Sequence, residues 1–421
     1  MQLDGPVVLV TREISAPIVG HMVAMIESEV VPVGHAEAPA VVRSIAPAAV
    51  LVVDSGEDED AADALTAAIL TADHFVPLIR RWSPNDSDRI ATLWLDAEAD
   101  AGALYAALQQ ASRTRTLLLE TLRRRVVATA AALGAPALPD PWAPARDTAV
   151  LVIDNGAVLP VVAPICAARG ISLVGAPSTS LAGTYLELRH FDAVVIGPAI
   201  DTVSAETFLS WLRDDPRRRD LPAFWLGADP AFRLRIDLPS EILAPHDPRL
   251  GGALYAAARL HALEHQLSGL IQDMHAAGLA DPDTGLLWPD AFRAGVIQSM
   301  AWAESNGRDV VALRLAAEQG QPLPAVVPRM VARLMRRSDL VTQYDDSVVL
   351  VVLVGSDRDT AARISARLSG ILTHTALVAT GRAGPALSVR CVTAKPGESA
   401  EAFLARLGGA SAAPAKLAEA G

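Results

Sequence analysis

The sequence has few cysteines, few aromatic residues and no long apolar run. Its 421 residues include two cysteines, Cys166 and Cys391, far apart and with no Cys or His at ligand spacing. Neither a zinc site nor a disulfide framework is therefore predicted, and we expect both cysteines in the core. No stretch approaches the roughly 18 consecutive apolar residues that a membrane span needs, so we expect a cytoplasmic protein without membrane insertion.

A surplus of positive charge is also absent. The formal net charge is -12, and aromatic residues make up only 4% of the chain. A general nucleic-acid binder normally has a basic surface and aromatic side chains on which bases stack. We therefore predict no DNA binding, although a local basic cluster can still bind one small anion.

Two parts of the chain repeat one pattern, in which short β-branched runs alternate with amphipathic stretches. This pattern is typical of a parallel sheet with crossover helices. The hexapeptide Gly-Ala-Leu-Tyr-Ala-Ala begins at Gly102 and again at Gly252, 150 residues later, which indicates duplicated domains. The predicted strands are Val7–Val10, Val50–Val53, Phe75–Ile79 and Thr92–Leu95, and then Val150–Ile153, Ala193–Ile196, Ala223–Leu226 and Ile242–Leu243.

A long helical stretch without a breaker follows each copy. These stretches cover residues 103–133 and 253–279. Such helices can project as stalks or pair between subunits, so we expect a homodimer. Between the copies, residues 134–146 contain four prolines, which favours an extended linker.

The two repeated units resemble response-regulator receiver domains, a doubly wound fold whose phosphorylation chemistry lies at the carboxyl ends of the strands. That chemistry needs an acceptor Asp after the third strand and a metal-binding acid pair after the first. Asp54 stands at the acceptor position of the first unit, but its first strand ends in Thr11-Arg12. Asp54 is thus a candidate phosphoacceptor, and the interpretation we favour is a strand-end or helix-cap residue. In the second unit Gly197 replaces the acceptor, although Asp154 retains part of the acid pair.

The C-terminal third contains motifs at a characteristic spacing. Residues 281–286 read Asp-Pro-Asp-Thr-Gly-Leu, residues 336–339 read Arg-Arg-Ser-Asp, and Tyr344 precedes the pentapeptide Asp-Asp-Ser-Val-Val. This order resembles the GGDEF domain, the fold that joins two GTP molecules into cyclic di-GMP. In that family an Arg-x-x-Asp motif precedes the Gly-Gly-Asp/Glu-Glu-Phe signature by five residues.

The signature itself departs from the family. Asp345 and Asp346 replace two glycines that let the backbone approach phosphates, and Val348 replaces a metal-binding carboxylate. The strand from Val310 to Ala317, where the other metal carboxylate belongs, contains no acid. We therefore predict no catalytic residue, no metal site, no cofactor and no cyclase activity. The two aspartates are expected in a solvated hairpin turn.

The family's inhibitory, product-binding site is retained in the sequence. The resemblance implies that Arg336, Asp339 and Arg367 bind cyclic di-GMP, with Arg333 and Arg337 adding positive charge. A guanidinium can pair with a phosphate or with the O6/N7 edge of guanine, and a carboxylate can accept from guanine N1 and N2. Arg329, Arg333 and Arg336 also follow helical spacing, and the alternative is a solvated basic helix face.

The fold class that follows is α/β: two doubly wound, receiver-like domains of the flavodoxin type and an α+β, nucleotide-cyclase-like GGDEF domain, joined by helical stalks. The predicted segments are a first receiver domain at 1–133, a linker at 134–147, a second receiver domain at 148–262, a stalk at 263–280, the GGDEF domain at 281–408 and a disordered tail at 409–421.

This architecture resembles receiver–receiver–GGDEF response regulators, and the lost signature resembles the effector members of that group. The resemblance implies a cyclic di-GMP effector or adaptor that localises to a cell pole and helps deliver cell-cycle regulators to a protease. Two alternatives stay open, a residual diguanylate cyclase and a scaffold that ignores nucleotide.

The nine histidines show no metal-binding spacing. His261 and His265 stand four residues apart on the second long helix, and we expect no further ligand near them. We therefore expect them at the surface or in a dimer interface.

Overall fold

The computed structural model describes residues 5–408 with several gaps. The predicted tail, 409–421, lies outside the described residues. Within 5–408 the residues left out are 14–16, 27–28, 46, 55–58, 73, 82–91, 96–98, 100, 131–132, 135, 144–146, 216, 228–239, 306–308, 318–320, 336–338, 355, 357 and 381–386.

The first sheet is parallel, with helices on both faces. Its strand order, β2-β1-β3-β4-β5, is that of flavodoxin-like doubly wound folds. Helices α1 and α4 cover one face of the sheet, and α2 and α3 cover the other. The elements are β1 (Val7–Val10), α1 (Pro17–Met25), β2 (Val30–Val33), α2 (Ala38–Ile45), β3 (Ala49–Val52), α3 (Glu59–Leu70), β4 (Leu78–Arg81), β5 (Leu93–Leu95) and α4 (Ala101–Ala130).

The second sheet repeats this arrangement. Its order is β7-β6-β8-β9-β10, with α5 and α8 on one face and α6 and α7 on the other. Leu104 of α4 and Leu254 of α8, which belong to the repeated hexapeptide, are both fully buried against their own sheets. The predicted duplication of the fold is confirmed. The elements are β6 (Ala149–Ile153), α5 (Leu159–Ala168), β7 (Ser172–Ala176), α6 (Thr179–Leu188), β8 (Ala193–Ile196), α7 (Thr202–Asp214), β9 (Ala223–Leu226), β10 (Ser240–Leu243) and α8 (Leu250–Met274).

The third sheet is antiparallel, in the order β12-β13-β11-β14. Helices α9 and α12 pack on one face, and α10 and α11 pack on the other. Together with the two doubly wound sheets, this βαββαβ unit confirms the predicted fold class. The elements are α9 (Pro289–Ser305), β11 (Val310–Ala317), α10 (Val326–Leu334), β12 (Leu340–Asp345), β13 (Val348–Val354), α11 (Arg358–Thr380), β14 (Leu387–Thr393) and α12 (Ala400–Gly408).

The chain divides into two compact units, and both long helices contribute residues to each. The first unit comprises Met1–Arg115 and Pro139–Gln266, and the second comprises Thr116–Leu138 and Leu267–Gly421. The predicted second stalk helix ends early, at Met274, and a π-type turn follows. In that turn Gly278 has φ 108°, a left-handed conformation that favours glycine.

The two cysteines differ in their surroundings. Cys166 lies in the core of the second sheet, as predicted, and burial raises the pKa of its thiol to about 11. Cys391 is exposed, so the prediction of a core position is wrong. It lies on β14, which is an edge strand of the third sheet among the described residues.

Among the described residues, no helix combines the length and the apolar character that crossing a membrane requires.

Candidate functional site

A pocket of about 290 Å³ lies within the second unit, beside the loop between α10 and β12. Two of the predicted ligand-binding residues, Asp339 and Arg367, line it together. Its lining residues are Leu334, Met335, Asp339, Thr360, Arg363, Ile364 and Arg367.

The polar side chains of this pocket come from two elements. Asp339 directly precedes β12 and is only 5% exposed. On α11, the exposed Arg367 donates from Nη2 to the carbonyl oxygen of Leu334 at 3.3 Å, and Arg363 donates to Thr360 Oγ1 at 2.9 Å. Arg363 and Arg367 stand four residues apart and thus share one helix face. That spacing was the available sequence signal for Arg363, which the sequence-based prediction missed.

The remaining predicted site residues lie at or beyond the end of α10. Arg333 is exposed in the last turn of the helix and does not line the pocket. Arg336 and Arg337 lie outside the described residues.

The predicted helical face through Arg329, Arg333 and Arg336 is described only for its first two residues, which lie four residues apart on α10. Helix α10 ends at Leu334, and Met335 is extended, with ψ 155°. Arg336 lies outside the described residues, so its place on this face stays a prediction. Arg329 has a partner of its own, because its Nε donates to the carbonyl oxygen of Asp283 at 3.0 Å.

The opening motif of the C-terminal domain forms an ordered turn. The Thr284 hydroxyl donates to the Asp281 carboxylate at 2.6 Å, and the Gly285 amide donates to the Asp281 carbonyl oxygen at 2.7 Å. Gly285 has φ 75°, which favours glycine. The Leu287 amide donates to the Val341 carbonyl oxygen at 2.9 Å, so the turn is joined to β12.

The pentapeptide 345–349 forms the tight turn between β12 and β13 and the first residues of β13. The Asp345 carboxylate accepts from the amide and the hydroxyl of Ser347, at 2.7 and 2.8 Å. Asp345 and Asp346 are exposed, whereas Val348 and Val349 are buried. The predicted solvated hairpin turn is confirmed.

A second cavity of about 170 Å³ adjoins the pocket within the same unit. Met335 and Asp339 line both cavities, and the second is also lined by Arg124 of α4 and by His275, which follows α8. Arg124 donates from Nε to the buried carboxylate of Glu120 at 2.5 Å and contacts His275. Asp339 therefore lies between the pocket and residues of the two long helices.

In the first receiver-like fold, Asp54 lies at the carboxyl edge of the sheet, just after β3. Its Oδ2 accepts from the amide of Arg12 and lies 3.4 Å from His35 Nε2. The Arg81 guanidinium donates to the carbonyl oxygen of the preceding residue, Val53, at 2.8 Å. Basic side chains thus border the acceptor position.

In the second receiver-like fold, the Asp154 carboxylate lies directly against Gly197, the residue at the expected acceptor position. A Cβ atom added at Gly197 would lie 2.3 Å from Asp154 Oδ1. The other oxygen, Oδ2, accepts from the amides of Gly156 and Val158, at 2.9 and 2.7 Å. The glycine is therefore required by the close approach of this buried carboxylate.

A cluster of histidines and one aspartate lies at the opposite, amino edge of the second sheet. His190 and Asp192 lie beside His261 and His265 of α8, so the prediction that no further ligand is near these histidines is wrong. The sequence pattern could not show it, because some 70 residues separate the two segments.

Charge and burial oppose each other in this cluster. Burial acts to raise the pKa of Asp192, but hydrogen bonds from His190, His261 and the Ala149 amide outweigh it and lower the pKa to about 2. Burial, followed by the neighbouring His190, lowers the pKa of His265. The carboxylate of Asp192 is therefore ionised at neutral pH.

Comparison with known proteins finds similarity at the level of solved structures. No family model matches the chain, and no curated protein matches it. The chain is similar to the GGDEF domain of DgcB from Caulobacter crescentus, solved in complex with c-di-GMP. The identity is 19%, the coverage is 30% of this chain and 84% of that chain, and the TM-score is 0.27.

Other similar structures are receiver domains of histidine kinases. One is from Pseudomonas aeruginosa, with magnesium in its active-site cleft, at 13% identity, 26% and 95% coverage and a TM-score of 0.23. Another is from Syntrophus aciditrophicus, at 17% identity, 29% and 91% coverage and a TM-score of 0.22. These similar structures are thus of two kinds, GGDEF domains and receiver domains.

Proposed function

We propose that this chain is a signalling effector that binds cyclic di-GMP in the pocket beside Asp339 and does not synthesise it. The observation that carries the proposal is the convergence of a buried carboxylate, Asp339, with the exposed guanidinium groups of Arg363 and Arg367 around one cavity of about 290 Å³.

The chemistry of this lining suits a guanine base that is attached to a phosphate. A carboxylate accepts from the N1 and N2 donors of guanine, which adenine and the pyrimidines do not present in that pattern. An arginine fork donates two parallel hydrogen bonds to O6 and N7 or to a phosphate. Asp339 would therefore select the base, and Arg363 and Arg367 would bind its other edge or the phosphate.

The size of the pocket sets how much of the ligand it holds. Ligand sites commonly enclose about 300–1,000 Å³, and this pocket, at about 290 Å³, lies at the lower end. It would accept one guanine and its phosphate, while the second half of the dinucleotide lies outside. Arg336 and Arg337 stand in the chain between two pocket-lining residues, Met335 and Asp339, so we assign them to the phosphates together with Arg333.

The absence of synthesis follows from the residues at the degenerate signature. Phosphoryl transfer in this family needs metal-binding carboxylates, and β11, from Val310 to Ala317, contains none. The Asp345 carboxylate is hydrogen-bonded within its own turn. Val348, at the metal position, is buried and apolar.

The signal would pass through the second cavity. A ligand can shift a conformational equilibrium only by binding one state more tightly than the other. Asp339 borders both cavities, and Arg124 and His275 belong to or follow the long helices. We propose that a ligand on Asp339 favours one arrangement of these helices and thereby exposes a docking surface for protein partners. By the resemblance, those partners belong to a polar, cell-cycle proteolysis pathway, and the protein acts as a homodimer.

Calorimetric titration of the tag-free full chain with cyclic di-GMP tests the site. A lost charge-assisted hydrogen bond costs about 1.5–3 kcal/mol, so Arg367→Ala and Arg336→Ala should each weaken binding by about tenfold to 150-fold. Arg293→Ala, an exposed arginine of α9 that lies outside the pocket lining, is the matched control and should bind like the parent. Equal affinity in Arg367→Ala, Arg336→Ala and the parent would show that the site is wrong.

The two alternatives give different results in the same assays. A residual cyclase would form product when concentrated protein is incubated with GTP and Mg²⁺, and we expect none. A scaffold that ignores nucleotide would bind neither cyclic di-GMP nor GTP. Titration with both ligands therefore distinguishes an effector that binds cyclic di-GMP from an inactive cyclase domain that binds only GTP.

A further inference from the structure

Three side chains of the first unit bring polar atoms together at the amino edge of the second sheet. His190 Nε2 lies 2.9 Å from Asp192 Oδ1, and His261 Nδ1 lies 3.3 Å from the same oxygen. All three atoms lie within 4.8 Å of one another. Asp192 immediately precedes β8, whereas His261 is on α8, so the cluster joins two elements that are distant in sequence.

We propose that His190, Asp192 and His261 form a binding site for zinc or a similar divalent transition-metal ion. Two imidazole nitrogens and one carboxylate oxygen are a donor set that such ions prefer. In a tetrahedral zinc site with bonds of about 2.0–2.1 Å, neighbouring ligand atoms lie about 3.3 Å apart. The two separations of 2.9 and 3.3 Å are close to this value.

The surroundings of Asp192 match those of a metal ligand. Its side chain is only 3% exposed, and its second oxygen accepts from the Ala149 amide at 2.9 Å, which fixes the direction of the first. The His190 side chain is 41% exposed and leaves an access path from solvent. Water could complete the coordination on that side, as in zinc sites with three protein ligands.

Metal binding would replace a hydrogen-bonded network that already exists. In the metal-free protein each histidine contributes a ring N–H to Asp192 Oδ1, and in the bound state the ion would take the place of both protons. Each neutral ring would then carry its proton on the other nitrogen. The bound ion would tie the start of β8 to α8 by coordination bonds, at the sheet edge opposite the one that carries receiver phosphorylation chemistry. The proposal does not depend on nucleotide binding.

The test uses the tag-free full chain, stripped with a chelator and dialysed. Calorimetric titration with Zn²⁺ should give one ion per chain, and Co²⁺ should give the strong visible absorption of a tetrahedral site. His190→Ala and His261→Ala should each weaken zinc binding at least tenfold. His246→Ala removes an exposed histidine of the same unit that is outside the cluster, so it should bind like the parent.

The parent titration decides the proposal independently of any variant. If the stripped parent binds no stoichiometric zinc, the cluster is a hydrogen-bonded network only. Equal zinc affinity in His190→Ala and His246→Ala would also overturn the assignment. Thermal unfolding in metal-free buffer identifies a variant that fails to fold. His190 is the more exposed ligand, so its variant should retain the parent's fold.

Discussion

Placing a side chain at position 197 should destabilise the second receiver-like fold. In Gly197→Ala the new Cβ would lie 2.3, 2.6 and 2.8 Å from Oδ1, Cγ and Cβ of Asp154. Asp154 is 4% exposed, and moving it would break hydrogen bonds to the amides of Gly156 and Val158. Overpacking of this kind costs about 1–3 kcal/mol, and a bond to a charged acceptor is worth about 1.5–3 kcal/mol. We therefore expect Gly197→Ala to lose about 1–3 kcal/mol and Gly197→Asp to lose at least as much.

Two further variants isolate the cause. Gly183→Ala places a methyl group in α6 with no heavy atom within 4 Å, so it should stabilise by about 0.5–1 kcal/mol. An Asp154→Ala background removes Oδ1 and Cγ and leaves only the contact with Cβ at 2.8 Å, so Gly197→Ala should cost less there than in the parent. Urea unfolding gives the energies, and hydrogen exchange of β6 and β8 assigns them to this fold. A neutral Gly197→Ala, or an equal cost in both backgrounds, would refute the reasoning.

Three further predictions concern other parts of the molecule. Leu254→Ala removes a fully buried side chain of α8 and should cost about 2–5 kcal/mol in urea unfolding. Acetyl phosphate with Mg²⁺ should leave the intact mass unchanged, and a phosphate adduct that Asp54→Asn removes would contradict the strand-end interpretation. A hydrogen bond from Arg406 lowers the pKa of Glu398 in the folded protein. The ionised Glu398 carboxylate therefore stabilises the fold above its unfolded pKa of about 4.3, and this stabilisation is lost as the pH falls through the folded pKa. In Arg406→Gln, an NMR titration should show the pKa of Glu398 back near its ordinary value.

Strands with continuous apolar runs could be located from the sequence to within a residue. Val7–Val10, Ala193–Ile196 and Ala223–Leu226 are strands with the predicted bounds. All are fully buried, and such strands in a parallel sheet carry apolar side chains on both faces.

The strands that the sequence missed are edge strands. Val30–Val33 contains Pro32, and Ser172–Ala176 contains serine and glycine, and both lie at the edge of their sheets. Edge positions tolerate these residues, which otherwise argue against a strand. Another strand, predicted at Phe75–Ile79, is found at Leu78–Arg81, so it begins three residues later and extends over two arginines.

The candidate sites differ in how far the sequence could predict them. Asp339 and Arg367 were predicted because a motif and its spacing indicated both, whereas Arg363 was missed although helical spacing pairs it with Arg367. The grouping of His190 and Asp192 with His261 depends on how α8 packs on the second sheet. No local pattern encodes that packing, so the sequence alone predicted no metal site.

A crystal structure of the full chain with cyclic di-GMP tests the central claim most directly. We predict one guanine in the pocket, with its N1 and N2 donating to the Asp339 carboxylate and with Arg367 on its other edge or on a phosphate. Crystals grown with saturating ligand that show this pocket empty, or the nucleotide bound elsewhere, would contradict the account.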